Sequence, residues 1–145
     1  PEYSGNGLVM LEPTYKHILL EDIGEWGSIV LDDGLFLACD ASLTKKVVSR
    51  SNFSSAALGK EGLFNLSLSG NGVAVLESPV ARDELVEINL QNDEVKIDGN
   101  MAIAWSASLQ FTVEMSSKSI LGSAVSGEGL VNVYRGTGRI LVALT

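Results

Sequence analysis

The sequence predicts an all-β fold, a β-sandwich or barrel built from internally repeated β-hairpin units, and three observations carry that prediction. The first is a period of two. Phe64, Leu66 and Leu68 alternate with Asn65, Ser67 and Ser69, and Leu109, Phe111 and Val113 alternate with Gln110, Thr112 and Glu114. Neighbouring strand side chains point to opposite faces, so each run has one apolar and one polar side, whereas a helix would scatter the same residues around its circumference. The second is a glycine-framed pattern. Gly127-Glu128-Gly129-Leu130-Val131 followed by Gly136-Thr137-Gly138-Arg139-Ile140 recurs as Gly59-Lys60-Glu61-Gly62-Leu63 followed by Gly70-Asn71-Gly72, and Gly5-Asn6-Gly7-Leu8-Val9 opens a third copy. Gly-x-Gly supplies positive φ where a chain reverses, so each copy reads as a hairpin. The third is a gapless match of residues 30–43 on residues 96–109, which share Asp32 with Asp98 and the ending Ala41-Ser42-Leu43 with Ala107-Ser108-Leu109.

Leu31 and Ile97 stand 66 positions apart, and Gly62 and Gly129 stand 67 apart, so one larger unit has been duplicated. That length suits a small β subdomain rather than a solenoid repeat. A single domain over residues 1–145 is then divided into a second repeat at 27–80 and a third at 81–145. Residues 1–26 form the back half of an incomplete first repeat.

In chain order, residues 3–11 predict a first strand ended by Pro13, and residues 16–21 a second. Residues 21–27 read as a connection without helical periodicity, with Trp26 folding back over the core. Strands follow at 28–31, 35–40 and 44–50, then a loop at 51–58. After the middle hairpin, Pro79 and its charged neighbours break the sheet. Residues 85–90 resume it, Gln91-Asn92-Asp93 turns the chain into 95–98, and Gly99-Asn100 turns it again into 101–105. Residues 107–114 form the most regular strand, 116–126 an irregular segment, and 140–144 the last strand.

Composition bounds the class. A chain of 145 residues and 15.4 kDa buries roughly two thirds of its unfolded surface and needs no staple. The single Cys39 cannot form an internal disulfide, and among Leu37, Ala38 and Ala41 it reads as a small strand residue in a reducing, cytoplasmic setting. No apolar run approaches the ~20 residues that span a bilayer, and no signal core opens the chain. Eighteen acidic residues against ten basic give a net charge of −8, which repels phosphate backbones and anionic lipid, so nucleic acid is not an expected partner. The cluster Lys45, Lys46 and Arg50 decorates the edge or outer face of a strand.

Catalytic constellations are not legible. His17 is the one histidine, so no His-based relay forms without it, and His17 with Cys39 is too sparse for a zinc site. Asp32, Asp33, Asp93, Glu94 and Asp98 all fall at predicted turns, where aspartate bonds its own backbone. Asp32-Asp33 lacks the loop spacing of a calcium site. Gly59-Lys60-Glu61 has glutamate where a phosphate loop needs Ser or Thr, and Gly136-Thr137-Gly138 is a hairpin turn. No catalytic, cofactor-binding or metal-binding residue is therefore expected.

Gly127-Glu128-Gly129-Leu130-Val131 with Gly136-Thr137-Gly138-Arg139-Ile140, and the Leu31-Asp32-Asp33-Gly34 and Ala41-Ser42-Leu43 segments upstream, resemble the AIM24 family, a domain of unknown function, over essentially the whole chain. The resemblance implies a TRAP-like β-sandwich, of the kind grouped with the tryptophan RNA-binding attenuation protein, that is built from repeats and is often oligomeric. It offers no catalytic residues to carry over, and one mitochondrial member is associated with inner-membrane organisation. Residues and resemblance together lead to the expectation of a non-enzymatic binding or scaffold module that acts as a homo-oligomer or with protein partners. The alternative is a small-molecule binder, or an enzyme using carboxylates, with its site in a cleft between repeats.

Overall fold

The computed structural model describes residues 1–12, 14–49, 64–115 and 130–145. The described chain is all β apart from one helical turn and a short 3-10 turn at Arg82–Glu84. Its elements are β1 (His17–Asp22), α1 (Ile23–Trp26), β2 (Ser28–Leu31), β3 (Phe36–Cys39), β4 (Thr44–Ser49), β5 (Phe64–Ser69), β6 (Val73–Ser78), β7 (Leu85–Asp98), β8 (Ala102–Ser106), β9 (Gln110–Met115) and β10 (Leu130–Ala143). Two open antiparallel sheets form a sandwich. One has the order β1-β6-β3, and the other has seven strands in the order β4-β5-β2-β8-β10-β7 with β9 also paired to β10. Among the described residues no helix is long and apolar enough to cross a membrane.

The glycine reversals do not make hairpins. At Gly70-Asn71-Gly72 the chain passes from one sheet to the other, because β5 pairs with β2 and β4 while β6 pairs with β1 and β3. At Gly136-Thr137-Gly138 the strand runs on, with a register shift between Gly136 and Gly138. The neighbouring strand decides between these outcomes. β7 lies along all of β10, and its predicted turn at Gln91-Asn92-Asp93 is instead a bulge within one strand, with Asn92 at φ 49° and its amide donating to Thr137 Oγ1 at 2.9 Å. In the first half the same partner is interrupted by α1, so the ladder cannot continue across the glycines.

Two further expectations change. Residues 21–27 contain a helical turn, because Asp22 Oδ1 accepts from the Gly24 amide at 3.0 Å and Ile23 and Trp26, three apart, bury on one side. Trp26 does fold over the core, at 9% exposure. Residues 3–11 form no strand. Gly5-Asn6-Gly7-Leu8-Val9-Met10-Leu11-Glu12 matches Gly70-Asn71-Gly72-Val73-Ala74-Val75-Leu76-Glu77 at five of eight positions. Whereas β6 is held between two strands, this stretch has no ladder partner, and Leu8, Val9, Met10 and Leu11 stand exposed. Pro13, Arg50, the loop at 51–58, Gly59-Lys60-Glu61-Gly62, the segment at 116–126 and Gly127-Glu128-Gly129 lie outside the described residues.

Both faces of the central strands are buried. Ile29 and Leu31 of β2 join Leu19, Leu68 and Leu76 in one cluster, while Val30 joins Trp105, Tyr134 and Ile140 in another. Each full burial of such a side chain contributes about 1.5–3 kcal/mol, so β2 and β8 are the least replaceable strands.

Several residues 66 apart make the same contacts. A Cβ built on Gly70 would lie 3.7 Å from Ser42 O and 3.8 Å from Leu43 Cδ2, and one on Gly136 the same distances from Ser108 O and Leu109 Cδ2. Ser42 Oγ donates to Asn71 O at 2.9 Å, and Ser108 Oγ to Thr137 O at 2.8 Å. Ala38 pairs with Val75 as Ala104 pairs with Leu141, and both ladders slip at the next pair, Phe36 with Leu76 and Ala102 with Val142. The halves pack in sequence rather than face to face: Leu85, Ile103, Leu141 and Ala143 of the second half close the core of the first.

Candidate functional site

Among the described residues, a concavity lies where the two halves meet. Val48 and Ser49 of β4 and Asn65 and Ser67 of β5 form one wall, and Gln110, Phe111 and Thr112 of β9 the other. Val30 and Trp105 underlie a cleft of about 300 Å³, at the lower limit for a small-molecule site. The alternation of β5 places its polar face here. Asn65 and Ser67, which the period-two reading assigns to solvent, are 4% and 7% exposed, whereas Phe64 on the apolar side is 60% exposed. A strand covered on both faces has no solvent side to give its polar residues, so they must find partners. Asn65 Nδ2 donates to Leu31 O at 2.9 Å, and the Ser67 and Ser28 hydroxyls are 3.3 Å apart.

Aromatic rings stiffen the other side. Trp105 and Phe111 stack with centroids 5.5 Å apart, and Tyr134 meets both edge-on at 5.2 Å. Such pairs contribute about 0.5–1.5 kcal/mol each beyond their burial. Counting back 66 positions, these rings stand where Cys39, Lys45 and Leu68 stand in the first half. That triple change to aromatics was the available sequence signal, and period alone does not reveal it.

Arg135, next to Tyr134 on β10 and so on the other face of that strand, reaches Thr112 Oγ1 at 3.1 Å, Glu114 Oε1 at 2.6 Å and Glu94 Oε2 at 2.5 Å. Lys96 Nζ stands 3.6 Å from Glu114. The hydrogen bond from Arg135 holds the Glu114 carboxyl below its ordinary value of 4.5, and the two glutamates raise Arg135 in turn. Around α1, Trp26 Nε1 donates to Glu21 Oε2 at 3.1 Å, Arg82 pairs with Glu21, and the Arg139 guanidinium lies 3.8 Å over the Trp26 ring. Buried Glu21 is thus matched from two sides.

The structure scatters the residues singled out from sequence. His17 is exposed on β1, an edge strand, and Cys39 is half-buried on β3 against the first core cluster. Lys45 and Lys46 are exposed on β4, at the edge of the larger sheet. Asp32 and Asp33 follow β2 at a turn, where Leu35 N donates to Asp32 O. Asp98 ends β7, but Asp93 and Glu94 lie within that strand and not at a turn. None of these carboxylates lines the cleft. Among the described residues, no three His, Cys, Asp or Glu side chains converge as a metal site would require.

Sheets, junction and cleft define a class: an open antiparallel β-sandwich of two like halves, with an uncharged, aromatic-walled cleft between them. The chain belongs to the AIM24 family, whose model, described as mitochondrial biogenesis AIM24, matches residues 1–143. It is 31% identical over 140 residues to an uncharacterised protein of Streptococcus pyogenes serotype M6, covering 95% of this chain and 54% of that protein. A crystal structure of a Streptococcus pyogenes protein shares the fold at a TM-score of 0.67 and 28% identity, with 89% of this chain and 54% of that one aligned. The chain therefore spans about half the length of these relatives.

Proposed function

We propose that this chain is a non-enzymatic binding or scaffold module that works by assembling like β units, in a cytoplasmic setting. The observation that supports this most is the junction inside the chain, where the outer face of one half completes the core of the half before it. A duplicated unit that already packs on its own copy carries complementary surfaces on both sides, and like surfaces tend to build homo-oligomers. Light scattering tests it: the particle mass should be a multiple of the 15.4 kDa chain, and a single-chain mass at all concentrations up to about 200 µM would refute it, since association weaker than that is below about 5 kcal/mol.

The cleft favours a second reading, a binder of a small planar apolar ligand. Its walls join stacked rings to a buried amide and carry no ionisable side chain. A melting-temperature rise across a panel of such compounds, abolished by Phe111→Ala, would support it. A flat panel would remove it.

A further inference from the structure

Among the described residues, one ladder joins the two halves of the chain. Ile29, Val30 and Leu31 of β2 pair with Ser106, Trp105 and Ala104 of β8. Asp32 N donating to Ile103 O at 2.9 Å and Ala107 N donating to Ser28 O at 3.0 Å extend it. The same two edges recur with no such partner. Sixty-six positions after β2 lies the second part of β7, and sixty-six before β8 lies β3. Among the described residues β7 pairs only with β10, and β3 only with β6.

Residue charge sets the β3 edge apart from the others, while the β7 edge keeps Asp93, Glu94, Lys96 and Asp98 around its pairing stretch. β4 carries Lys45 and Lys46 in the manner of a guarded edge, and Arg82 donates to Leu20 O on β1. β3, Phe36-Leu37-Ala38-Cys39, carries no charge at all. On β7, Glu94 and Lys96 are already paired with Arg135 and Glu114.

The side chains agree with the backbone. Leu85, Ile103 and Leu141 seal the first core from the second half. Ile18 and Leu19 face Glu77 and Leu76 as Leu85 and Val86 face Ala143 and Val142, so in β1 the correspondence runs at 67 positions. The counterparts Ile18, Leu37 and Val75 lie on the outer face of the three-stranded sheet, with Ile18 50% exposed. A gap of about 330 Å³ bounded by Leu11, Tyr15, Ile18 and Leu37 separates the N-terminal stretch from that face. The opposite surface is correspondingly less covered. Leu19 and Leu35 are 2% and 3% exposed, whereas their counterparts Val86 and Met101 are 41% exposed and half-buried.

We propose that copies of this chain join head to tail, the β7 edge of one forming an antiparallel ladder with the β3 edge of the next. This repeats between chains the β2–β8 junction within them, and it rests on the assembly reading above. The register follows by counting: Val95 opposite Asp40, Lys96 opposite Cys39 and Ile97 opposite Ala38, with Ile18, Leu37 and Val75 closing the neighbour's second core. Residues 5–12 give way as the neighbour's β10 seats. Each joined copy leaves one head and one tail, so growth continues to a ring or an open chain. This is strand addition, with main-chain bonds supplying affinity and the flanking apolar side chains the register.

Two proline variants test it. Ala41→Pro removes an amide at the tail, at the second position of the Asp40–Leu43 turn, which favours proline. Lys96→Pro removes an edge-facing amide at the head, where an edge strand tolerates it. By sedimentation, the unsubstituted chain should grow in mass with concentration, and each variant, and Ile18→Lys as a tail variant without proline, should associate at least about tenfold more weakly. An equimolar mixture of Ala41→Pro and Lys96→Pro should form a two-chain particle, since each supplies the end the other lacks. Misfolding would not produce that recovery. Variants that assemble like the parent, or folded variants whose mixture stays single-chain, would overturn the head-to-tail ladder while leaving assembly itself standing. A parent that never assembles would overturn both.

Discussion

Substituting Gly138 by alanine probes the glycine reversal where it is tightest. A Cβ there would sit 2.7 Å from Ser106 Cβ, 3.0 Å from Ser106 Oγ and 3.1 Å from Leu109 Cγ, all inside the ~3.5–4.0 Å of favourable contact. Ser106 is 7% exposed and its hydroxyl accepts from Arg139 N at 3.0 Å, so it cannot swing aside without breaking a buried hydrogen bond. Overpacking costs about 1–3 kcal/mol and the hydrogen bond about 1 more. The expected loss is about 3 kcal/mol, or about 10 °C in melting temperature for a chain of this size. Urea unfolding of Gly138→Ala, Ser106→Gly and the double variant measures it, and the double variant should lose little beyond Ser106→Gly alone. The counterpart Gly72→Ala should lose less, because its nearest carbon, Asp40 Cβ, stands at 3.1 Å rather than 2.7 Å, and the hydroxyl it meets at 2.9 Å belongs to exposed Ser42, whose hydrogen bond to Asn71 O water can replace. A loss below about 0.5 kcal/mol for Gly138→Ala, without coupling to Ser106, would refute the reasoning.

Trp26→Phe removes the indole donor from buried Glu21 and should cost about 2 kcal/mol by denaturant unfolding. Glu114 has a folded pKa below 4.5 because Arg135 bonds its ionised form. Its contribution is therefore present above the unfolded value and lost as pH falls through the lower folded one. Stabilities of the parent and Glu114→Gln should accordingly differ at neutral pH and converge in acid below 4.5. Deleting residues 1–12 should leave the melting temperature within about 2 °C, since they pair with no strand and are exposed throughout.

How much was legible from sequence follows from which signals are local. Period two located β5 and β9, because alternation is a property of one strand. Partners are not local: Phe64 to Val75 looks the same whether the flanking strands pair with each other or belong to different sheets. The sequence match at 66 positions told more than composition, since Gly70 and Gly136 meet equivalent atoms at the same 3.7 and 3.8 Å. It also misled, because the same Gly-x-Gly crosses between sheets beside α1 and merely bulges a strand beside β7. The cleft was hidden for a related reason. Asn65 and Ser67 face it from what the alternation marks as a solvent side, and only the position of β9 shows that this side is covered.

Amide exchange of the assembled and dilute protein, read residue by residue, tests the unit junction most directly. The Asp32 and Ala107 amides, which close the β2–β8 ladder, should exchange slowly at every concentration, whereas those of Asp98 and Ala41, their counterparts 66 positions away, should exchange fast when dilute and slow on concentration. Fast exchange at Asp32 and Ala107, or no change at Asp98 and Ala41 in a particle whose mass has grown, would contradict it.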